Sequence, residues 1–451
     1  MHAMGIDIGT TTISIVMADE DSGAVIARDT TSHTSWINDG CAVGKTQNPE
    51  VIRSLALNAA QRMIREHGAP SCIGLTGQMH GMLYLDAAGQ AVSPLYTWQD
   101  GRGNLSLQDG RTAVECLRSA GCAAASGYGL TTHFALQRAG QIPADAVCMT
   151  TISDYVGMGI TGATKPVLSA DMAASWGAFD LKARRFQREL LEKLGIDTRP
   201  LPKVGSGYEV VGETSEGIPV CCSLGDNQAS VLGSVQQLSD TMLINIGTGS
   251  QVSMGVDHFV ECAGSIELRP CGTDGYILVG SGLCGGRAYA MLERFYREVS
   301  GVKEPHYEVM LAQARQFVET NGLDAAWRVR TAFSGTRDDP NERGSISGIG
   351  IDNFQPGALT AGVIAGILGE LSESYDAMCA ITGNSARRLV GSGNGLRRNP
   401  LMQSIAEQIF DLKLQIPAHL EEAAFGAALC AMAASGRKSS FAEAQRLIHY
   451  Q

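Results

Sequence analysis

The sequence has no run rich in lysine or arginine anywhere along its 451 residues. Its 46 acidic side chains outnumber its 35 basic ones, and the formal net charge is −11. Proteins that bind nucleic acid normally present a basic face to the phosphate backbone. We therefore expect no nucleic-acid partner. An anionic ligand would have to be held by backbone N–H groups, hydroxyls and a metal ion.

Long apolar runs, a leader segment and paired cysteine motifs are also missing. No run approaches the roughly 20 apolar residues of a membrane helix, and the N-terminus lacks the charged and apolar regions of a signal peptide. The twelve cysteines include no C-x-x-C pair, and the adjacent Cys221 and Cys222 suit neither a zinc site nor an easy disulfide. We expect a cytoplasmic protein with free, mostly buried thiols and no membrane partner. No pattern in the sequence indicates an oligomeric state.

Glycine is abundant, with 54 residues, and several glycines fall in short clusters typical of ligand loops. The hydrophobic fraction of 44% and the charged fraction of 18% are those of a globular protein with sizeable cores. The length suits two domains of roughly 200 residues each. We predict an N-terminal domain over residues 1–235 and a C-terminal domain over residues 236–451.

A short pattern occurs twice, at Gly5–Thr12 and at Ile244–Ser250. Each copy predicts a strand, a turn and a second strand, and we expect the two turns to hold phosphate and to face each other across a cleft. The first copy lies in a predicted hairpin whose first limb runs from Met4 to Met17. The second hairpin spans Thr241–Gly255, so the halves resemble a duplicated α/β unit. The matched residues are Ile6, Ile8, Gly9 and Thr10 with Ile244, Ile246, Gly247 and Thr248.

The two copies carry the groups that phosphoryl transfer needs, which are donors that hold phosphate without reacting. Glycine lets the backbone approach the ligand, and threonine adds hydroxyl donors. The copies differ at Asp7, which Asn245 replaces in the second. Asp7 could hold Mg²⁺, or it could be a buried carboxylate that accepts backbone hydrogen bonds. The predicted phosphate-binding residues are Gly9, Thr10, Thr11 and Thr12, then Gly247, Thr248 and Gly249.

Two polar stretches in the first half are candidates for substrate binding. Gln78, Met79 and His80 form a loop between two predicted strands, where binding residues are often placed; His80 could equally be structural. Trp98, Asp100 and Arg102 alternate, so on an extended segment they would share one side. An aromatic ring beside charged groups suits a sugar, although the tryptophan could also belong to the core.

Asp226 follows the buried strand predicted over Ile218–Leu224. A carboxylate there is well placed to act as a general base toward a hydroxyl, and the alternative is a turn-forming aspartate. Further along, Leu389–Asn399 reads as a strand end that runs into a glycine loop before a helix opened by Pro400. This arrangement is common in nucleotide sites, although the loop could be an ordinary turn.

Together these residues resemble the FGGY family of carbohydrate kinases, within the actin-like ATPase superfamily, over nearly the whole chain. The two repeated stretches look like the family's phosphate loops, and Gly225-Asp226-Asn227 looks like the segment with its catalytic aspartate. Gly391–Asn394 is similar to its adenosine loop, and Glu421–Ala428 to its closing helix. The resemblance implies an α/β fold of two duplicated actin-like, ribonuclease H-like domains with an ATP cleft between them.

Within the family, Gly77–Gly81 is similar to the substrate loop of the ketose kinases. The resemblance therefore implies ATP- and Mg²⁺-dependent phosphorylation of a ketose on its terminal hydroxyl, most closely sedoheptulose, with xylulose as the alternative. Asp226 is the implied general base and Asp7 the implied metal ligand. The implied sugar site comprises Gln78, Met79, His80, Trp98, Asp100, Arg102, Asp171 and Asn227, and the further ATP-binding residues are Gly286, Gly393 and Asn394.

Two other classes of protein share part of this pattern. An actin-like ATPase without a sugar substrate needs only the paired phosphate loops, so the polar and aromatic region at Gln78–His80 argues against it. A catalytically silent sugar-binding regulator would not need Asp7 and Asp226.

Overall fold

The computed structural model describes residues 1–262, 264–335, 339 and 341–451. The first 236 residues form fifteen strands and seven helices within those limits. The strands are β1 (His2–Ile8), β2 (Thr12–Asp19), β3 (Val25–Ser32), β4 (Trp36–Ile37), β5 (Thr46–Gln47), β6 (Cys72–Gly77), β7 (Leu83–Leu85), β8 (Leu95–Tyr96), β9 (Cys148–Thr150), β10 (Val167–Leu168), β11 (Phe179–Asp180), β12 (Arg185–Phe186), β13 (Lys203–Val204), β14 (Val210–Glu213) and β15 (Pro219–Gly225). The helices are α1 (Pro49–His67), α2 (Ala113–Ser119), α3 (Gly129–Arg138), α4 (Ile152–Thr161), α5 (Ala170–Ala174), α6 (Arg188–Lys193) and α7 (Asp226–Ser234).

The remainder of the described chain has fewer strands and longer helices. The strands are β16 (Thr241–Ile246), β17 (Ser250–Val256), β18 (Glu267–Cys271), β19 (Gly275–Gly282), β20 (Arg328–Arg330), β21 (Ser345–Ser347), β22 (Arg388–Ser392) and β23 (Leu414–Gln415). The helices are α8 (Gly286–Ser300), α9 (Tyr307–Asn321), α10 (Pro356–Thr382), α11 (Asn394–Arg397), α12 (Pro400–Phe410), α13 (Glu422–Ala434) and α14 (Phe441–Gln445). No helix within the described ranges is both long enough and apolar enough to cross a bilayer.

The chain forms two compact units. The first contains Met1–Gln236, Arg269–Gly275 and His419–His449, and the second contains Gln237–Leu268, Tyr276–Ala418 and Tyr450–Gln451. This grouping differs from a continuous division at residues 235 and 236, because α13 and α14 return to the first unit. All twelve cysteine thiols are free and most are buried, as expected.

The first unit is built on a six-stranded mixed sheet in the order β14-β15-β6-β1-β2-β3. Strands β1, β2 and β3 are antiparallel neighbours, whereas β1–β6 and β6–β15 are parallel pairs. Side chains alternate along β1, so Met4, Ile6 and Ile8 enter the hydrophobic core that also contains residues of α1 and α4. Asn48 caps α1, with its side chain accepting from Glu50 N and Val51 N, and Gly68 ends the helix.

Helix α13 packs on the opposite face of this sheet at unusually short range. A Cβ on Gly5 would lie 1.8 Å from Ala424 O, and one on Gly74 would lie 1.9 Å from Ala427 O. The same helix meets α7 through Gly426, where a Cβ would lie 2.0 Å from Ala229 O. Only glycine permits these approaches. The closing helix that the resemblance implies at Glu421–Ala428 is present as α13.

The second unit repeats the arrangement of the first. Its six-stranded sheet has the order β18-β19-β17-β16-β22-β23. Strands β16, β17 and β19 are antiparallel neighbours, and β16–β22 and β22–β23 are parallel pairs. The series β19-β17-β16-β22-β23 therefore has the same strand directions as β3-β2-β1-β6-β15. The predicted duplication of an α/β unit is confirmed.

One local prediction is wrong. Residues 4–17 are not a single limb but two antiparallel strands, because the chain reverses at Gly9, whose N–H donates to Thr12 O at 2.9 Å. The strand, turn and second strand expected at Gly5–Thr12 are therefore present as β1 and β2. After β15, Asp226 begins the helix α7, whose close packing on α13 favours the helical conformation over the turn that its polar start suggests.

Helix-interior glycines allow a matched test of the close packing. Gly426→Ala places a methyl against a backbone carbonyl, which costs about 1–3 kcal/mol, and each kcal/mol lowers Tm by roughly 2–4 °C in a domain of this size. Gly369 in α10 faces open space, so Gly369→Ala should raise stability by about 0.5–1 kcal/mol. Calorimetry of both variants checks the opposite signs. An unchanged Tm for Gly426→Ala would contradict the packing argument.

Candidate active site

Asp226 is the first residue of α7, directly after the buried strand β15. The N–H of Asn227 donates to Asp226 Oδ1 at 2.8 Å. Burial raises the pKa of Asp226 to about 6, although that N–H group and the positive charge of Arg269 act to lower it. The side chain is half-buried, so it remains reachable from solvent. A carboxylate with this pKa is a competent base near neutral pH.

Asp7 lies on the same face of β1 as Gly5, toward α13. Burial, together with the negative charges of Asp226 and Glu421, raises the pKa of Asp7 to about 7. Glu421 immediately precedes α13, so the glycine contacts that seat this helix also bring its carboxylate toward Asp7. Like charges held together in this way favour the presence of a cation.

Asp7 is the metal ligand that the resemblance implies. Asp7 Oδ1 is buried and has no hydrogen-bond partner among the residues that the structure describes. Within that part of the chain, no group of three or more histidine, cysteine, aspartate or glutamate side chains is arranged to hold a metal ion by itself. Asp7 therefore suits Mg²⁺ as one protein ligand among water and phosphate oxygens, which is the usual environment of this ion.

The first repeated turn, residues 9–11, joins β1 to β2 and is held by neighbouring segments of the first unit. His33 N donates to Thr11 O at 2.9 Å, and the amide of Gln47 donates from Nε2 to Thr10 O at 2.7 Å. The His33 ring contacts Gly9 O through Nε2 at 3.3 Å. Three backbone carbonyls of the turn are thus engaged by the protein.

The predicted substrate loop follows β6 and lies beside Gly225. Gln78 and Met79 are buried, and a Cβ on Gly225 would lie 2.7 Å from Met79 Sδ. His80 has a left-handed backbone with φ of 71°. Its Nδ1 lies 2.6 Å from Ser175 O, and its ring stacks on Tyr128 at a centroid distance of 4.4 Å. The loop conformation is therefore fixed by tertiary contacts.

Trp98, Asp100 and Arg102 do not share one side of an extended segment, and this expectation is wrong. Residues 98–99 form a turn and Arg102–Asn104 a 3₁₀ turn. Trp98 is 47% exposed and donates from Nε1 to Thr10 Oγ1 at 3.1 Å. Asp100 and Arg102 are buried and pair with each other at 2.7 Å, and Arg102 also pairs with Asp39 at 2.5 Å. Their charges are satisfied within the protein.

Asp171 and Asn227 sit on either side of the Asp226 backbone. Asp171 is fully buried, and its Oδ2 accepts hydrogen bonds from Gly225 N at 3.0 Å and from the Tyr208 hydroxyl at 3.3 Å. Burial raises its pKa. Asn227 Oδ1 accepts from Arg269 Nη1 at 3.0 Å. Both residues therefore hold the start of α7 in place.

The second repeated turn, residues 247–249, joins β16 to β17 within the second unit. Gly286 N donates to Gly247 O, and Arg287 N donates to Thr248 O, each at 2.9 Å. A Cβ on Gly286 would lie 2.3 Å from Gly247 O, and one on Gly393 would lie 2.5 Å from Ile246 O. Asn394 begins α11 directly after Gly393. The structure thus gathers all the predicted ATP-binding residues of this half at one end of β16.

Sequence reasoning missed several residues that hold these predicted groups. Gln47 and His33 support the first turn, Arg269 contacts Asn227, and Glu421 adds charge beside Asp7. None of them belongs to a repeated or glycine-rich motif. The sequence signal available for these residues is a polar side chain next to a predicted strand. That signal does not identify a partner that is distant in sequence.

Comparisons with known proteins agree with this geometry. The chain matches the FGGY family of carbohydrate kinases, N-terminal domain, over residues 2–233, and the C-terminal domain of that family over residues 244–435. It is 28% identical to the sedoheptulokinase of Mus musculus over 473 residues, covering 94% of this chain and 96% of that protein. It is 23% identical to the xylulose kinase of Staphylococcus xylosus, covering 95% and 90%.

Among solved structures, the xylulose kinase from Rhodospirillum rubrum superposes with a TM-score of 0.86 at 18% identity. The match covers 100% of this chain and 93% of that structure. At this identity the likeness establishes the fold. Together with the two family domains, which span most of the chain, it shows that the protein belongs to the FGGY family of carbohydrate kinases and is a phosphotransferase that acts on an alcohol group.

Proposed function

We propose that the protein phosphorylates sedoheptulose on its terminal hydroxyl with ATP, giving sedoheptulose 7-phosphate. The observation that carries the chemistry is Asp226, a half-buried carboxylate of raised pKa at the start of α7 and beside Asp7. The choice of a seven-carbon ketose rests on the similarity to the mouse sedoheptulokinase over nearly the full length of both chains.

Asp226 is proposed as the general base. Its carboxylate accepts the proton of the terminal hydroxyl as the sugar oxygen attacks the γ-phosphate of ATP in line. Asn227 N–H and Arg269 stabilise the carboxylate form against its desolvation. Asp171 fixes the preceding peptide through Gly225 N–H, so the base keeps its orientation.

The phosphates are proposed to bind to the two repeated turns. Glycine permits backbone approach at Gly9, Gly247 and Gly249, and threonine hydroxyls supply further donors. Asp7 would hold Mg²⁺ through its unpartnered Oδ1. When bound, this ion neutralises charge on the phosphate oxygens. Additional ATP contacts are proposed for Thr10, Thr11, Thr12, Thr248, Gly286, Gly393 and Asn394.

The sugar is proposed to bind at Gln78, Met79, His80, Trp98 and Asn227. Trp98 offers an exposed ring face for the C–H side of a sugar, and the loop at 78–80 adds polar groups. Asp100, Arg102 and Asp171 were candidates for direct sugar contact. Because these three are buried charged groups whose charges are already compensated within the protein, we assign them instead to the support of this site.

Replacing the base should remove turnover and leave binding. Asp226→Asn keeps the shape of the side chain but cannot accept the hydroxyl proton, so kcat should fall about 10²–10⁴-fold with little change in the KM for sugar. Steady-state kinetics with ATP and Mg²⁺ measures this. The exposed Asp145 provides a matched control, and Asp145→Asn should retain normal turnover. Near-normal kcat in Asp226→Asn would contradict the assignment.

The pH dependence follows from the same carboxylate. Asp226 must be ionised to accept a proton, and its pKa is raised to about 6. The value of kcat/KM should therefore fall as the pH decreases through about 6 and level off above it. A pH–rate profile of the wild-type enzyme checks this sign. The residual activity of Asp226→Asn should lack the acid limb, and a profile that rises toward low pH would refute the role.

A substrate panel tests the choice of sugar. The rate on sedoheptulose should exceed the rates on xylulose and glycerol when each is supplied with ATP and Mg²⁺. A clear preference for xylulose would replace the proposed substrate and keep the mechanism. ATP hydrolysis that no sugar alters, but that a polypeptide stimulates, would instead favour an actin-like ATPase.

A further inference from the structure

We propose that Gln47 is a positioning residue that couples sugar binding to the first phosphate turn, an inference that rests on the proposed ketose kinase function. Gln47 lies in β5, the central strand of the small sheet β4-β5-β8. Its side chain is completely buried. A fully buried amide must have its polar atoms satisfied, and the identity of its partners shows what it joins.

Those partners belong to two different parts of the proposed site. Gln47 Nε2 donates to Thr10 O in the phosphate turn at 2.7 Å, and Gln47 Oε1 accepts from Gln78 Nε2 in the sugar loop at 3.2 Å. Gln78 is itself 2% exposed and anchored through its N–H to Ile8 O. One rigid amide therefore links the two segments, and a displacement of Gln78 is transmitted to the Thr10 peptide.

The Thr10 hydroxyl forms a second set of hydrogen bonds between the phosphate turn and the sugar site. It accepts a hydrogen bond from Trp98 Nε1 at 3.1 Å and donates to Gln78 Oε1 at 3.5 Å. A hydroxyl has a single proton, so Thr10 cannot donate to Gln78 and to a phosphate oxygen through the same O–H. The 3.5 Å bond is the longest in the group and the easiest to break.

Sugar binding would change the partners of this hydroxyl. Gln78 and Trp98 both belong to the proposed sugar site, so sugar hydroxyls compete for Gln78 Oε1 and Trp98 Nε1. Once those atoms bind sugar, the Thr10 hydroxyl is free to donate its hydrogen bond to phosphate. Gln47 meanwhile keeps the Thr10 carbonyl in place. Sugar and nucleotide therefore bind with positive coupling, and by linkage each ligand raises the affinity for the other.

The neighbouring residue in the strand offers a matched control. Thr46 is also buried, and its Oγ1 donates to Ile37 O at 3.2 Å, away from the residues of the coupling group. Gln47→Leu and Thr46→Val each remove a buried side-chain hydrogen bond from β5. A purely structural role for Gln47 would make the two variants behave alike, whereas a coupling role separates them.

The test measures binding without turnover, in the Asp226→Asn background. Calorimetric titration gives the Kd of a non-hydrolysable ATP analogue with Mg²⁺, with and without saturating sedoheptulose. The ratio of the two Kd values should be at least about fivefold in the parent and in Thr46→Val, and within about twofold of unity in Gln47→Leu. Trp98→Phe keeps an aromatic ring but loses the N–H donor. This substitution of an exposed residue should also reduce the ratio of the two Kd values.

The ratios of Kd values distinguish a coupling role of Gln47 from a purely structural one. Equal ratios in the parent and in both Gln47→Leu and Trp98→Phe would overturn the coupling, as would a parent ratio of one despite sugar binding. Loss of coupling in Thr46→Val to the same extent as in Gln47→Leu would assign the effect to β5 as a whole and overturn the role of Gln47. If the parent binds xylulose and not sedoheptulose, xylulose replaces sedoheptulose as the proposed substrate, and the same ratios are measured with xylulose. If the parent binds neither ketose, the proposed function fails first, and the coupling fails with it.

Discussion

The close approach of α13 to the first sheet is the constraint on which the catalytic geometry depends. Side chains normally fill the space between a helix and a sheet, but Gly5 and Gly74 remove that layer here. Gly426 does the same between α13 and α7. The carboxylates at the ends of these elements are thereby drawn together. The backbone packing that stabilises the unit thus also creates the electrostatic conditions of the site.

Burying two neighbouring carboxylates destabilises the protein when no ligand is bound. Asp7 and Asp226 both lose hydration, and burial together with repulsion from Asp226 and Glu421 raises the pKa of Asp7 to about 7. Proteins rarely keep such groups adjacent unless chemistry requires them. Here Asp226 has hydrogen-bond and cationic neighbours, whereas Asp7 Oδ1 has no hydrogen-bond partner in the part of the chain that the structure describes. This asymmetry separates the proposed base from the proposed metal ligand, although both belong to the same residue type.

Much of the fold could be predicted from local sequence, because strand alternation, Asn48 capping and the repeated turn are encoded within a few residues. The family and its domains follow from the same motifs. The buried ion pairs of Arg102 could not be predicted, because its partner Asp39 is about 60 positions away and periodicity does not reveal such a contact. Gln47 was overlooked for the same reason. Its significance comes from two loops that meet it only after the chain has folded.

The return of residues 419–449 to the first unit bears on how the protein is made. A nascent chain that has reached Ala418 already contains β1 and β6, but the helix that covers their glycine face has not been synthesised. The first unit is therefore completed only after α13 has been synthesised. Folding by independent N-terminal and C-terminal halves, common in multidomain proteins, is not available to this chain. Strand β1 and helix α13 must meet before Asp7 and Glu421 lie together.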